Sequence, residues 1–189
     1  MKRIAVIAIA VLLLSFFSAE ASAGGFWFGA YGGSVIPVGG FGDYSAIGLS
    51  VGAGLGLWLG DRWLISAYGA YDGFGRVDFY DETYRKFSIK GTAIPVQLGL
   101  SYYFGEPEPL QFYLTARAGV YFWGGDYAGE NLSGYFNSQD PGVAGGLGIA
   151  IPVTEERRTS LYLELDYNAV FGEDTQSFLG ILVGLNFTR

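Results

Sequence analysis

The sequence predicts an all-β fold, an eight-stranded antiparallel up-and-down transmembrane β-barrel, on three observations. Eight segments alternate apolar and polar residues with a period of two, which puts successive side chains on opposite faces of a strand. The connections between them alternate between short and long. The composition is also too poor in charge for a water-covered domain: 15% of 189 residues are charged and 31 are glycine, whereas soluble domains average about 25% charged and about 7% glycine.

Before the strands comes "MKRIAVIAIAVLLLSFFSAEASAGG". Lys2 and Arg3 form a basic start, Ile4 to Phe17 an apolar core, and Ala21-Ser22-Ala23 a small-x-small site, the pattern of a cleaved secretory signal over residues 1–23. The run is shorter than the ~20 residues a membrane helix needs. Residues 24–189 are then the barrel domain. Subtracting Lys2, Arg3 and Glu20 from 11 basic and 18 acidic residues leaves 9 and 17, a net charge of −8, which speaks against a nucleic-acid partner. The chain holds no cysteine and no histidine, so neither a disulfide scaffold nor a lipid-modified N-terminus is available. Every apolar run after residue 23 is interrupted by Gly, Asp, Pro or Arg. A membrane residence is therefore through strands, the other spanning structure that pairs every backbone group internally.

The strands are expected at Phe26 to Ile36, Ala46 to Leu59, Trp63 to Phe74, Ser88 to Phe104, Leu110 to Trp123, Gly142 to Val153, Ser160 to Phe171 and Ser177 to Phe187. Gly60-Asp61-Arg62, Gly105 to Pro109 and Thr154 to Thr159 are the short connections. Val38 to Ser45, Gly75 to Phe87 and Gly124 to Pro141 are the longer ones, and Gly172 to Gln176 breaks the rule. Each strand reaches the ~9 to 11 residues that cross the hydrocarbon when tilted, and closing an even number of them removes the edges that lipid cannot satisfy. Ile-Pro-Val recurs at Ile36, Ile94 and Ile151. Because proline cannot donate to a ladder, Pro37 and Pro152 are placed at strand ends and Pro95 near the outer rim.

The faces follow from alternation. The second strand sorts Ile47, Leu49, Val51, Leu55 and Leu57 against Gly48, Ser50, Gly52, Gly54 and Gly56, and the fifth sorts Leu114, Ala116, Ala118 and Val120 against Tyr113, Thr115, Arg117 and Tyr121. Leu98, Leu163, Leu165, Ile181, Val183 and Leu185 fall on oily faces as Leu114 does. No oily face that declares itself carries a charge; strand one and early strand three do not declare one. If the oily faces pointed inward, the outside would be mostly Gly and Ser, a poor surface for water. They are therefore expected to be lipid-facing, with Gly and a few polar groups filling the narrow interior of eight strands. That makes Glu164 and Asp166, in the run Leu161 to Phe171, interior residues at about the height of Arg117. An interior polar network of Arg117, Glu164 and Asp166 is predicted, with Gln97, Thr115, Asn168 and Tyr113 as secondary partners, because an unpaired buried charge costs several kcal/mol.

"GFWFGAYGG" (Gly25 to Gly33), "IPVQLGLSYYF" (Ile94 to Phe104) and the terminal "GILVGLNF" (Gly180 to Phe187) resemble the small eight-stranded outer-membrane barrels of the OmpA/OmpX type, the porin-family barrel domains. The final aromatic, followed here by Thr188 and Arg189, resembles the signal read by the barrel-assembly machinery. The resemblance implies a Gram-negative outer membrane, both termini in the periplasm, outer-membrane lipids and lipopolysaccharide as surroundings, and no cofactor or metal. Enzymes on such barrels look to histidine, which this chain lacks, so no catalytic residue is expected.

The longer loops are rich in aromatics: Tyr80, Tyr84, Tyr127, Tyr135 and Phe136. Exposed aromatics suit recognition of a surface partner; they equally suit a membrane-interface belt with Tyr71, Phe74, Trp123 and Phe171. Loop acids Asp78, Asp81, Glu82, Asp126 and Glu130 could hold divalent cations against lipopolysaccharide phosphates, although solvation explains them as well. Gly52 to Gly56 lacks the dinucleotide fingerprint and its helix, and Asn131-Leu132-Ser133 is a chance sequon. The sequence thus points to a structural or surface-interaction role with a plugged lumen. A narrow channel or hydrophobic-solute conduit of the OmpW kind, and a soluble periplasmic lipid-binding barrel, are the alternatives.

Overall fold

The computed structural model describes residues 25–80, 86–105, 110–129, 133–154 and 158–189; the expected signal segment lies outside them. Nine strand segments follow one another: β1 (Phe26–Val38), β2 (Ala46–Leu59), β3 (Trp63–Gly75), β4 (Val77–Tyr80), β5 (Lys86–Phe104), β6 (Gln111–Gly129), β7 (Ser133–Pro152), β8 (Thr159–Phe171) and β9 (Thr175–Thr188). One short 3-10 helix, η1 (Gly39–Asp43), joins β1 to β2. Because β3 and β4 lie end to end along β5, they make one stave, and the sheet is a closed antiparallel barrel of eight. Closure comes from β1 against β9, in register from Trp27↔Thr188 to Val38↔Ser177, and the outward rings of Phe28 and Phe187 stack across that seam at 6.3 Å.

Alternation resolves the two strands whose faces the sequence left undeclared. In β1, Trp27, Tyr31 and Val35 point inward; in β3, Leu64, Ser66, Asp72 and Phe74 do. Outside, two rows of exposed aromatics flank an aliphatic band. Phe26, Phe28, Trp63, Phe104, Phe112 and Phe187 ring the short-turn end, and Tyr71, Phe122, Tyr167 and Phe171 the other, the girdle pattern of a barrel that crosses a bilayer. Phe74 and Trp123 are not in that belt: at 1% and 5% exposed they sit inside the barrel, because their parity places them on the inward rows.

Two long connections expected as loops are strands instead. β6 runs to Gly129 and β7 starts at Ser133, pairing from Trp123↔Ser138 to Ala128↔Ser133; β5 starts at Lys86 and pairs with β4 from Val77↔Ile89 to Tyr80↔Lys86. These extensions lack one oily face, so no period of two announced them; backbone pairing to a neighbour carries them. Pro95 stays at the height of the upper girdle, beside Ile94, which pairs with Phe122, while the sheet continues above it. It lies opposite Tyr121 in the interior of β5, and the ladder to β3 steps over it, from Gly69↔Val96 to Asp72↔Ala93, as the missing N–H requires.

The interior has three storeys. At the short-turn end a cavity of about 530 Å3 opens between Trp58, Tyr103, Gln111, Ser160 and Asn186. Above it Trp27, Tyr31, Tyr103, Tyr113, Tyr162 and Leu182 pack across the bore. At the long-connection end Val35, Phe74, Tyr121, Trp123, Val170 and Phe178 form a second apolar cluster.

Candidate functional site

Between the two clusters lies the polar middle of the lumen. Arg117 from β6 forms ion pairs with two carboxylates of β8, Glu164 Oε1 and Asp166 Oδ2, the latter at 3.5 Å. All three residues are buried. Period-two spacing puts Glu164 and Asp166 one above the other on β8, so a single guanidinium spans both, and its carbon lies 4.8 Å over the Tyr68 ring.

The secondary partners assemble around this centre in order. Gln97 Nε2 donates to Tyr121 Oη (2.6 Å), Tyr121 Oη donates to Asn168 Oδ1 (2.7 Å), and Asn168 Nδ2 donates to Asp166 Oδ1 (3.1 Å). On the other side Tyr113 Oη donates to Glu164 Oε2 at 2.8 Å. Thr115 is buried but joins Ser101, whose Oγ donates to it at 3.0 Å, rather than the carboxylates. The chain of donors runs from β5 through β6 to β8, linking strands that the ladder joins only through their neighbours.

Sequence reasoning missed one buried acid. Asp72, in the later half of β3, accepts from Ser50 Oγ at 2.5 Å, and the sequence reading assigned it no role. Tyr121, the bridge of the relay, stood on an inward row but was not assigned a role. A void of about 10 Å3, bounded by Arg117, Glu164, Tyr113 and Tyr162, lies beside the network; that is about what one water needs. Glycines make the tight fill feasible: a Cβ at Gly148 would run into the Tyr113 ring, and one at Gly180 into the Asp166 carboxylate.

The outward set is equally definite. Leu98, Leu114, Leu163, Leu165, Ile181, Val183 and Leu185 all project from the barrel wall.

At the long-connection end, β4, β5, β6 and β7 rise past the other strands as a protruding sheet. β7 pairs with β8 only from Gly142↔Val170 onward, whereas its pairing with β6 reaches Ser133. Among the described residues, 133–140 therefore present a free edge. Tyr135 and Phe136 stand on this stretch, 63% and 42% exposed, and Tyr127 packs against Gly134 of the same hairpin. Tyr80 is exposed at the tip of β4. These are strand positions rather than loop positions, and Tyr84 lies outside the described residues. Asp78 is engaged by Lys86 at 2.8 Å; among the described residues no acidic group has the clustering a metal ion needs, and Asp81, Glu82 and Glu130 fall outside them.

Residues 9–187 match the family model described as outer membrane protein beta-barrel domain. The chain belongs to that family. Membership agrees with the closed barrel, the aromatic girdles and the outward aliphatic band. No curated protein matches the chain. Among solved structures it is similar to Neisserial surface protein A, NspA (14% identity, TM-score 0.60, 87% of this chain and 97% of that one). OprG from Pseudomonas aeruginosa matches at 16% identity and TM-score 0.57, over 88% and 96% of the two chains. Ail, the attachment invasion locus protein of Yersinia pestis, matches at 12% and 0.52, over 88% and 99%. At these identities the likeness is one of fold. The chain is an outer-membrane barrel, which removes the soluble lipid-binding alternative.

Proposed function

We propose that this protein is a non-enzymatic outer-membrane barrel that works at its long-connection end, capturing an extended segment of a surface partner along the free edge of its protruding sheet. The observation that carries the reading is the unpaired stretch 133–140 of β7. Exposed edges are normally blunted by charge, proline or brevity. Here eight residues, Ser-Gly-Tyr-Phe-Asn-Ser-Gln-Asp, carry no charge before Asp140 and no proline before Pro141. Added strands gain affinity from main-chain hydrogen bonds and selectivity from alternate side-chain sites, and Tyr135 and Phe136, on opposite faces, supply the latter. The name of Ail, the attachment invasion locus protein, is in keeping with this role.

The rest of the reading follows from orientation. The termini and short turns face the periplasm, the band containing Leu163 and Val183 meets acyl chains, the upper girdle meets lipopolysaccharide, and the last strand ending at Phe187 engages the assembly machinery. The lumen network serves as a structural plug: Arg117, Glu164, Asp166, Asn168, Tyr121, Gln97 and Tyr113 are tied to one another across the bore.

The test is retention of barrel-bearing vesicles on an array of immobilised ten-residue peptides of varied sequence. The native protein is expected to hold a subset of them, and Asn137→Pro or Tyr135→Lys to release that subset with folding unchanged on a heat-modifiable gel. Retention that survives both substitutions rejects the edge as the site. Discrete openings of the same protein in planar bilayers would instead support the channel or conduit.

A further inference from the structure

Beneath the long-connection mouth, the upper storey of the lumen is closed by a residue that no strand contributes. Phe41, on η1, turns its ring edge-on to Phe74 (centroids 5.0 Å apart) and Trp123 (5.4 Å). Phe178 lies below, 5.4 Å from Phe74, and Tyr121, Val35 and Val170 complete the cluster. Phe41 is its partly buried lid.

The lid hangs on a flexible tether. Gly39 has φ +62°, a left-handed conformation that glycine adopts freely, and a Cβ at Gly39 or Gly40 would touch nothing within 4 Å. Val38 gives the helix no side-chain cap, and the segment's own closing bond is Tyr44 N–H to Phe41 O at 3.2 Å. η1 packs on β1 and β9 but takes part in no strand pairing.

Two polar atoms at this end go unpartnered among the described residues. Trp123 Nε1 is a buried donor and Gln176 Oε1 a buried acceptor; Gln176 precedes Phe178 by two positions, on the same row of β9. Buried orphans of this kind are uncommon in folded proteins and carry a desolvation cost. A pocket walled by rings, with a few polar groups set into it, is the ordinary form of a small-molecule site.

We propose that the upper lumen is a binding chamber for a small planar aromatic compound bearing one hydrogen-bonding group, and that Phe41 is its displaceable occupant. The guest's ring takes the place of the Phe41 ring against Phe74, Trp123 and Phe178. Its polar group accepts from the Trp123 indole N–H and donates to the Gln176 amide oxygen. Closure by Phe41 lowers the apparent affinity by the fraction of time the chamber is open, so removing that ring tightens binding. The proposal is independent of the edge-strand reading, since it concerns the bore and not the sheet.

The experiment uses the full barrel in detergent micelles, 15N-labelled at tryptophan, with 1-naphthol as probe and naphthalene as its control without a hydroxyl. The chain has four tryptophans: Trp27, Trp58 and Trp123 face inward, and Trp63, 44% exposed on the outer wall, reports probe dissolved in the micelle. The indole resonance of Trp123 is expected to shift saturably with 1-naphthol while that of Trp63 drifts without saturating. Phe41→Ala should bind at least tenfold more tightly, with Phe41→Leu in its place should alanine prevent folding. Gln176→Leu should erase the preference for 1-naphthol over naphthalene. Trp123 tracking Trp63 without saturation in the Phe41 variants would overturn the chamber. Equal binding of both probes by the Phe41 variant that retains Gln176 would overturn the polar recognition.

Discussion

Replacing Arg117 by alanine tests the lumen most severely. The substitution leaves Glu164 with Tyr113 and Asp166 with Asn168 as their side-chain donors, both carboxylates buried and neither facing a cation. Breaking a buried ion pair from one side costs about 3–5 kcal/mol, and losing the guanidinium over the Tyr68 ring at 4.8 Å adds about 0.5–2 kcal/mol. Taking about 4 kcal/mol and a urea slope of about 2 kcal/mol/M, the unfolding midpoint in lipid vesicles falls by about 2 M. Tryptophan fluorescence and heat-modifiable mobility, measured on the same reversible titration, read it. The triple variant Arg117→Met, Glu164→Gln, Asp166→Asn should recover most of the loss, because a network removed as a whole leaves no orphaned charge. A midpoint within about 0.5 M of native for Arg117→Ala would refute the reasoning, as the size of the loss rests on burial of both acids. So would a triple variant less stable than the single.

Three further outcomes are expected. Leu163→Arg, on the outer wall in register with Ile149 and Val183, should cost about 2–4 kcal/mol near the bilayer midplane; an unchanged folded fraction in urea-titrated vesicles would reverse the facing. Gly148→Val drives a side chain into the Tyr113 ring and should cost about 1–3 kcal/mol, whereas Gly145→Val, three residues earlier on the outer face with nothing within 4 Å of its Cβ, should be close to neutral in the same titration. At the sheet tip, the hydrogen bond and charge of Asp78 raise the Lys86 ammonium above the ordinary lysine value. On the alkaline side the ammonium's contribution is therefore full up to that ordinary value and is lost only as pH climbs through the raised one. Amide exchange over residues 77–80, corrected for intrinsic rates, should stay flat from pH 6 to about 9, and Asp78→Asn should accelerate it across that whole range.

What the sequence disclosed follows from where each segment is solvated. Strands with lipid outside and a packed bore inside must alternate, so Ile94 to Leu100 and Leu161 to Phe171 declared both their faces and their partners; Arg117, Glu164 and Asp166 could be grouped because no other charge stood on an inward row of those strands. Asp72 stands in the later half of β3, beyond the stretch whose face was undeclared, and was passed over because the network was sought at the height of Arg117 on other strands. Residues 77–80, 86–87 and 124–140 read as loops for a different reason. Above the membrane neither face needs to be oily, the period of two disappears, and pairing with an adjacent stave is what makes them strands. Phe41 gave no signal at all: a single ring in a glycine-rich turn says nothing about the aromatic cluster it meets.

The distribution of satisfied and unsatisfied groups argues where this barrel does its work. Across the middle of the bore, Gln97, Tyr121, Asn168, Asp166, Arg117, Glu164 and Tyr113 are joined in one run of donors and acceptors. Such a network rigidifies the staves it connects and leaves little capacity for a passing solute, because each hydrogen bond offered to the solute is one withdrawn from a neighbour in low dielectric. Toward the long-connection end the accounting changes. The backbone of 133–140 has partners on one side only, and Trp123 Nε1 and Gln176 Oε1 have none among the described residues. Unmet hydrogen-bonding capacity is tolerated where something else meets it, water in the case of the edge and a guest in the case of the closed chamber. Orphaned atoms stand elsewhere too, Arg117 Nε in the middle and Trp27 Nε1, Trp58 Nε1 and Asn186 Oδ1 nearer the short-turn end, so what sets the middle apart is its cross-linking. Ion pairs and hydrogen bonds tie β5, β6 and β8 together beneath the open edge. That is the build of a scaffold for binding rather than a path for flow, and the peptide array and the naphthol titration both test that reading.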